Sequence, residues 1–394
     1  MPKKQHLTRK LQISIFNFQN PTFFCNFASH KVAIIVILLL TTYYLLLHLS
    51  VMINRALLRI KVAQVLYACF AKENTDLTAA ENELQLSIQK SYDLYHYILL
   101  LIAESRRYTE VKADSLRDRI GGVRVNEMFN EQFMNNKFAR QLGENIDLYS
   151  YANERGLSWA EDTEFIKYLI SQVNRREYYC IYIAKKNPSY GEDKKFWRDI
   201  LANEFQENEQ FDHLLEQQSI YWSDDIDIVF SFVEKTIKQF KEENGPNQPL
   251  LPMYKDEADK TFAFKLLDSV LLHNTELENI ITKYLIDWDI DRVAMMDRVI
   301  LKAAIAELLY FSTIPVNVTL DEYIELAKYY GTKKSSKFIN GVLDKVVKEL
   351  RETSELSKFK ISSKKSKSKA SSELKESESN SETTTEESQT TESN

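Results

Sequence analysis

From Met52 to Asn187 the chain contains no proline, and its whole length holds only 8 glycines and 7 prolines. A stretch without proline keeps every backbone amide available for a helical ladder, and scarce glycine removes the residue that tight turns favour. β-Sandwiches, barrels and glycine-rich nucleotide folds need many such turns, so the pattern points to long helices. Apolar residues recur accordingly at spacings of three and four: Ala56, Ile60, Ala63, Tyr67 and Phe70, then Leu84, Ile88, Leu94, Ile98 and Ile102. Gly121-Gly122 interrupts once. Residues 125–225 carry acidic and aromatic positions in alternation (Phe165, Tyr168, Leu169; Phe196, Trp197, Ile200; Phe205, Phe211, Leu214), and they read as further helices joined by polar turns such as Asn187-Pro188-Ser189-Tyr190-Gly191.

Three prolines between Pro246 and Pro252 cannot continue a helix, so residues 244–252 read as a linker. Four helices are expected beyond it. The first spans Lys260–Leu285 and the second Ile290–Ser312, stopped by Pro315. The third opens on Thr319-Leu320-Asp321-Glu322, the pattern of a capping box, and closes at Gly331 as a left-handed stop. The fourth starts near Ser335 and buries Ile339, Val342, Leu343, Val346 and Leu350. From about Ser357 the chain is Ser, Lys, Glu and Thr with almost no apolar side chain, a composition expected to remain disordered. Its lysines (Lys364, Lys365, Lys367, Lys369) precede an acidic stretch from Glu373 to Glu392.

The first 51 residues differ. They hold no Asp or Glu but carry Lys3, Lys4, Arg9, Lys10 and Lys31, so the remainder has a formal charge of −11 against −6 for the whole. Val32–Leu49 is an apolar run at the length where a membrane helix becomes the default reading. Two readings stand. In one the run is a signal anchor, which would export the chain beyond it. In the other Met52 is the true start and residues 1–51 are translated upstream DNA. The soluble helical pattern that begins at Met52 favours the second.

Catalytic signatures are missing. The sequence has no GxGxxG, Walker A loop, GxSxG elbow, HExxH or CxxC. Cys25, Cys69 and Cys180 are far apart, and Cys69 and Cys180 lie in apolar surroundings that suggest core packing. His6, His30, His48, His96, His213 and His273 are equally scattered, with His273 expected at a surface or edge. Asp224, Asp225 and Asp227 read as an acidic helix start rather than a metal cluster. The expectation is a protein without enzymatic activity, cofactor or metal.

The segment IDRVAMMDRVILKAAIAELLYFSTIPVNVTLDEYIELAKYYGTKKSSKFINGVLDKVVKEL, from Ile290 onward, resembles the NusB transcription antitermination family. Its strongest elements are ILKAAIAELLY, IPVNVTLDEYIELAKYYG and KFINGVLDKV. FAFKLLDSVLLHNTELENIITKYL fits the family's middle helix, and NRALLRIKVAQVLYACF is similar to its basic first helix. The resemblance covers about 53–75 and 225–350 and leaves about 90–225 as a large insertion, as in long Bacteroidetes-type forms. It implies an all-α fold: a NusB-like helical bundle with an inserted helical region, preceded by an apolar segment and followed by a disordered tail. The expected divisions are 1–51 (apolar extension), 52–90 (first NusB-like part), 91–224 (insertion), 225–352 (C-terminal bundle) and 353–394 (charged tail).

The resemblance further implies function. Family members pair with the small-subunit ribosomal protein NusE, bind boxA single-stranded RNA, chiefly in ribosomal RNA leaders, and join RNA polymerase and other Nus factors to suppress termination. That work is cytoplasmic. Binding single-stranded RNA needs cations for phosphates and flat side chains for bases. Arg55 and Arg59, four apart on one helix face, match basic positions of the family's first helix. Lys333, Lys334, Lys337 and Phe338 form a second patch, near helix amides able to face a phosphate. The two patches are expected to merge into one cationic surface. Phe262 matches an aromatic position that contacts partner or RNA, with core packing as the alternative; core packing is also the expectation for Tyr67. For Gly341 the expectation is close approach of another helix. Competing readings are a membrane-anchored or purely protein-binding helical adaptor, and an orphan RNA-binding module of an rRNA methyltransferase. Membrane contact depends on residues 32–49 being translated.

Overall fold

The Asn54 side chain accepts the Leu57 amide at 2.9 Å and so starts the first helix, α1 (Arg55–Ala71). Just before it, the Ile53 amide donates to the Met253 carbonyl at 3.0 Å, which ties the entry of α1 to a segment far along the chain. The computed structural model describes residues 53–73, 76–120, 130–285 and 290–353. These belong to the unit Met52–Asn394. The apolar run 32–49, the Gly121-Gly122 interruption and the charged tail lie outside the described residues.

Leu77–Ile120 contains neither glycine nor proline and is rich in Ala, Leu, Glu, Lys and Arg, all good helix formers, so it forms one helix, α2, of 44 residues. At that length it runs about 66 Å. It passes without a break through residue 90, where the first part and the insertion were expected to divide. Short helices follow: α3 (Glu131–Met134), α4 (Lys137–Gly143), α5 (Ile146–Arg155), α6 (Thr163–Val173), α7 (Glu177–Ile183), α8 (Tyr190–Glu204), α9 (Glu209–Gln218) and α10 (Ile226–Gln239). Asparagine side chains cap many of them, and Ser189 with Glu192 forms a complete capping box at α8. α3, α4, α5, α6 and α10 pack on α2, α8 packs on α4, α6, α7 and α10, and buried aromatics join them. Trp159 Nε1 donates to the Tyr97 carbonyl at 2.8 Å and Trp222 Nε1 to the Lys90 carbonyl at 2.9 Å. The Tyr182 ring stacks on Phe196 with centroids 4.1 Å apart.

The proline-rich segment is held rather than loose. Gln141 Nε2 donates to the carbonyls of Lys241 and Gly245, and Asn145 Nδ2 to that of Gln248. Gly245 sits at φ 51°, a left-handed conformation that suits glycine.

The remaining helices are α11 (Glu257–Leu272), α12 (Asn274–Tyr284), α13 (Met295–Tyr310), α14 (Val316–Tyr330) and α15 (Ser335–Glu352). The described residues contain no β-strand. With α1 these five form an all-α bundle. α13 is its central member, buried along Val299–Leu308, and α1, α11, α12, α14 and α15 pack around it. α15 buries Ile339, Val342, Leu343, Val346 and Leu350 as expected.

Three local expectations are corrected. Lys260–Leu285 is two helices broken at His273, and Lys302 Nζ holds the new start through Asn274 Oδ1 at 2.7 Å. Thr319 is not an N-cap: α14 already starts at Val316, and the buried Thr319 hydroxyl donates to Glu307 at 2.8 Å. Gly331 stops α14 in an extended conformation (φ −95°, ψ −177°) rather than a left-handed one. Glycine is needed there for space, since a Cβ would lie 2.4 Å from the Ser335 Cβ and 2.6 Å from the Ala327 carbonyl. Gly331→Ala is therefore expected to cost about 1–3 kcal/mol through overpacking, read as a lower urea midpoint; an unchanged midpoint would show that the α14–α15 corner yields without penalty.

Candidate nucleic-acid interface

The site begins with the cations of α1. That helix is apolar nearly all round, so it sits inside the bundle and any charge on it needs a partner. Arg59 is only 3% exposed and makes a bidentate pair with Glu307, Nε to Oε2 at 2.8 Å and Nη2 to Oε1 at 2.9 Å. A second carboxylate, Glu322, lies 3.3 Å from Nη1. Glu307 is fully buried and also accepts the hydroxyls of Thr319 and Tyr323, at 2.8 and 3.2 Å. Burial opposes the Arg59 charge, but the hydrogen bonds and charge of Glu307 more than restore it and hold the guanidinium above its usual range. Burial and Glu307 together push Tyr323 well up, so its phenol stays a donor.

Arg55, one turn earlier, is more open. Its Nε pairs with Asp259 at 2.8 Å. Both guanidinium groups lie over the Phe262 ring, 5.1 and 5.3 Å from its centroid. Phe262 is 3% exposed and packs edge-on against Phe311. The two arginines do share one side of α1, as their spacing predicts, but Arg59 belongs to a core ion pair, Arg55 is shared with Asp259, and Phe262 is the apolar platform beneath them.

Lys61 follows the same rule. Its Nζ lies 2.7 Å from Asp225, both side chains being buried, and the Ser91 hydroxyl donates to the same carboxylate at 2.6 Å. Burial pushes the Asp225 carboxyl up while Lys61 and Ser91 pull it down. This pair joins α1, α2 and the start of α10, so Asp225 is a structural anchor as well as part of an acidic helix start. Among the described residues no three His, Cys, Asp or Glu side chains converge to hold a metal.

The second patch lies at another place on the bundle. The Ser335 hydroxyl donates to Asp297 at 2.8 Å, near the start of α13, whereas Arg59 meets Glu307 near its end. Those two anchor points are separated by about 15 Å of helix. The groove beside α1 is lined by Arg59 together with the carboxylates of Asp224, Asp227, Glu322 and Glu325. The expected single cationic surface is therefore corrected: Arg59 is buried against Glu307 and Arg55 is paired with Asp259, while the lysines sit beside the separate Ser335–Asp297 anchor.

At the corner itself, Lys333, Lys334 and Lys337 are exposed and form no ion pair with the described residues. Phe338 is half-buried, its ring packed against the core. The Asn340 amide donates to Asp344 at 3.3 Å. Gly341 is exposed in mid-helix, and a Cβ built on it would meet nothing within 4 Å. The expected helix contact at Gly341 is absent among the described residues, although glycine there costs about 0.5–1 kcal/mol against alanine.

Other side chains also depart from expectation. Tyr67 is 41% exposed, in a groove with Ile220, Tyr221 and Met296. Cys180 is exposed and Cys69 half-buried. His273 is half-buried at the helix junction, as expected of an edge histidine. Sequence reading passed over Glu307, although a lone carboxylate inside VILKAAIAELLY signals a buried partner. No described helix is long and apolar enough to cross a membrane.

Comparison with known proteins meets this bundle directly. The NusB family model matches residues 226–348, from α10 through most of α15. Transcription antitermination protein NusB of Bacillus subtilis is 38% identical over 107 residues, 27% of this chain and 82% of that protein. The protein of the same name from Chloroherpeton thalassium is 39% identical over 99 residues, and there the chain spans about half, 47%, of the relative's length. A solved structure of T. maritima NusB is 31% identical, over 35% of this chain and 82% of that one, with a TM-score of 0.23. With the B. subtilis relative matched over most of its length, the chain belongs to the NusB family of transcription antitermination proteins.

Proposed function

We propose that this protein acts in the cytoplasm as a transcription antitermination factor that binds boxA-type single-stranded RNA together with the ribosomal protein NusE. In this reading it joins RNA polymerase and other Nus factors and prevents premature termination, chiefly in ribosomal RNA operons. Family membership carries the general role. The single observation that supports an RNA contact is the α14–α15 corner, where three unpaired lysines flank Phe338. Lysines neutralise phosphates and the aromatic edge suits an unstacked base. Arg55, partly exposed, adds a cation at the far end of the bundle; Arg59 serves by fixing α1 to α13 and α14. Phe262 supports Arg55 from below, and a partner at that end meets Arg55 first.

The chain after residue 51 carries a formal charge of −11, which opposes autonomous RNA binding. RNA affinity is accordingly expected to be weak alone and much tighter with a basic ribosomal partner that shares the phosphate contacts. Titration at matched salt with and without NusE tests this, and equal affinities would refute it. Neutralising Lys333, Lys334 and Lys337 to glutamine is expected to weaken RNA binding about tenfold and to flatten its salt dependence by about 2 in log–log slope, at roughly 0.7 per phosphate contact. An unchanged slope would remove this corner from the site.

A further inference from the structure

Gly341 stands in the middle of α15 on the face opposite its buried residues, where nothing in the described structure requires glycine. Alanine would favour the helix. A glycine that the fold does not need admits close approach to the helix backbone from outside. The neighbours on that face indicate what approaches. Lys337, Gly341, Lys345 and Lys348 are spaced by four, four and three residues, which places them in one row. Lys345 and Lys348 are exposed and, like Lys337, form no ion pair with the described residues. The single acidic side chain within the row's span and exposed beside it, Asp344, is occupied by the Asn340 amide. The row runs about 16 Å from Lys337 to Lys348, room for a few nucleotides.

We infer that the outer face of α15 is a track for the sugar–phosphate backbone of single-stranded RNA, entering at the Lys333–Lys337 corner, passing over Gly341 and leaving along Lys345 and Lys348. This rests on the RNA-binding reading above and extends it to residues which that reading does not use. Lysines on either side of the glycine hold phosphates, and the missing side chain lets the strand lie against the helix between them.

The test uses the full chain with saturating NusE and a fluorescein-labelled boxA-type single-stranded RNA, read by anisotropy across a salt series. Four proteins are compared: the parent, Lys333→Glu with Lys337→Glu, Lys345→Glu with Lys348→Glu, and Gly341→Leu. NusE binding is measured separately for each. The Lys345/Lys348 reversal is expected to weaken RNA binding about tenfold and to lower the salt slope by about 1.4, with NusE affinity unchanged. Gly341→Leu is expected to weaken RNA binding severalfold while its thermal midpoint equals or exceeds the parent's, a separation that a purely structural glycine would not give. If only the corner reversal weakens RNA binding, the track is overturned and the corner reading stands. If neither reversal weakens it, both fall. If the outer reversal lowers NusE affinity and leaves RNA affinity intact, the face is a protein interface and the track is overturned.

Discussion

Glu307→Ala is expected to lower the stability of the protein by about 3–5 kcal/mol, the range for breaking a buried ion pair by removing one partner. The substitution leaves the Arg59 guanidinium inside the bundle with only the more distant Glu322 for compensation. It also removes the carboxylate to which the buried Tyr323 hydroxyl donates. That loss adds a desolvation penalty at a fully buried position. Urea unfolding followed by far-ultraviolet ellipticity measures the change. Arg59→Met should fall in a similar range, because the buried Glu307 charge is then orphaned. The double variant Arg59→Met with Glu307→Leu should cost far less than the sum of the two, since the charge burial that makes each single variant costly is removed. Additive losses would mean that Arg59 and Glu307 do not act as one unit, and a loss under about 1 kcal/mol for Glu307→Ala would remove the network from the account of how α1 is held.

The same network marks where sequence reading succeeded and where it stopped. The helices of the C-terminal bundle were legible because their apolar residues repeat at helical spacing over long runs, and α15 buries the very residues that its periodicity selected. Helix ends were less legible. Thr319 and Glu322 have the spacing of a capping box, but the helix begins earlier at Val316, after Pro315, and the threonine hydroxyl donates to Glu307 instead. The spacing of Arg55 and Arg59 correctly puts them on one side of α1, yet spacing alone does not say whether that side faces solvent. The carboxylate that claims Arg59 lies 248 residues away in sequence. Lys61 and Asp225 are likewise distant in the chain and adjacent in space. Pairings of that kind depend on tertiary packing, which local periodicity does not encode. The lysine corner was legible because a helix stop followed at once by lysines leaves those side chains at an outer bend. The meaning of Gly341 was not, since a glycine required by a neighbouring helix and one facing open space look identical in sequence.

Acidification is expected to destabilise the protein through His96, which lies on α2 where the insertion and the proline-rich segment meet. Its ring is buried, stacked on Tyr151 of α5 at 3.8 Å and set edge-on against Tyr92 at 4.5 Å. Tyr92 in turn donates its hydroxyl to the Leu251 carbonyl at 2.9 Å. Burial pushes the imidazole down to about 4, against smaller opposite pulls from the Tyr92 carbonyl and the Asp93 carboxylate. With the ordinary value near 6.5, the unfolded chain binds the extra proton throughout the window from about pH 6.5 to pH 4. The stability that His96 contributes as a neutral ring is therefore complete above pH 6.5 and is lost as pH falls toward 4, by about 3 kcal/mol at 1.36 kcal/mol per unit. Other groups act on the same curve. Asp225 and Asp297 are pushed up by burial, so they work in the opposite direction as pH rises through the carboxylate range. Asp93, which burial alone would raise, is held below its ordinary value by Arg155 and Tyr151 and loses its contribution only at still lower pH. The difference between the parent protein and His96→Gln isolates the histidine, because the carboxylates are common to both. Urea unfolding at pH 7 and near pH 4 should show the parent losing about 3 kcal/mol more than the variant, and parallel losses would exclude His96 as the source. Hydrogen exchange then places the effect: if charging His96 drives it away from Tyr151, protection should fall first along α5 and the middle of α2, while α13 and its Arg59–Glu307 pair remain protected.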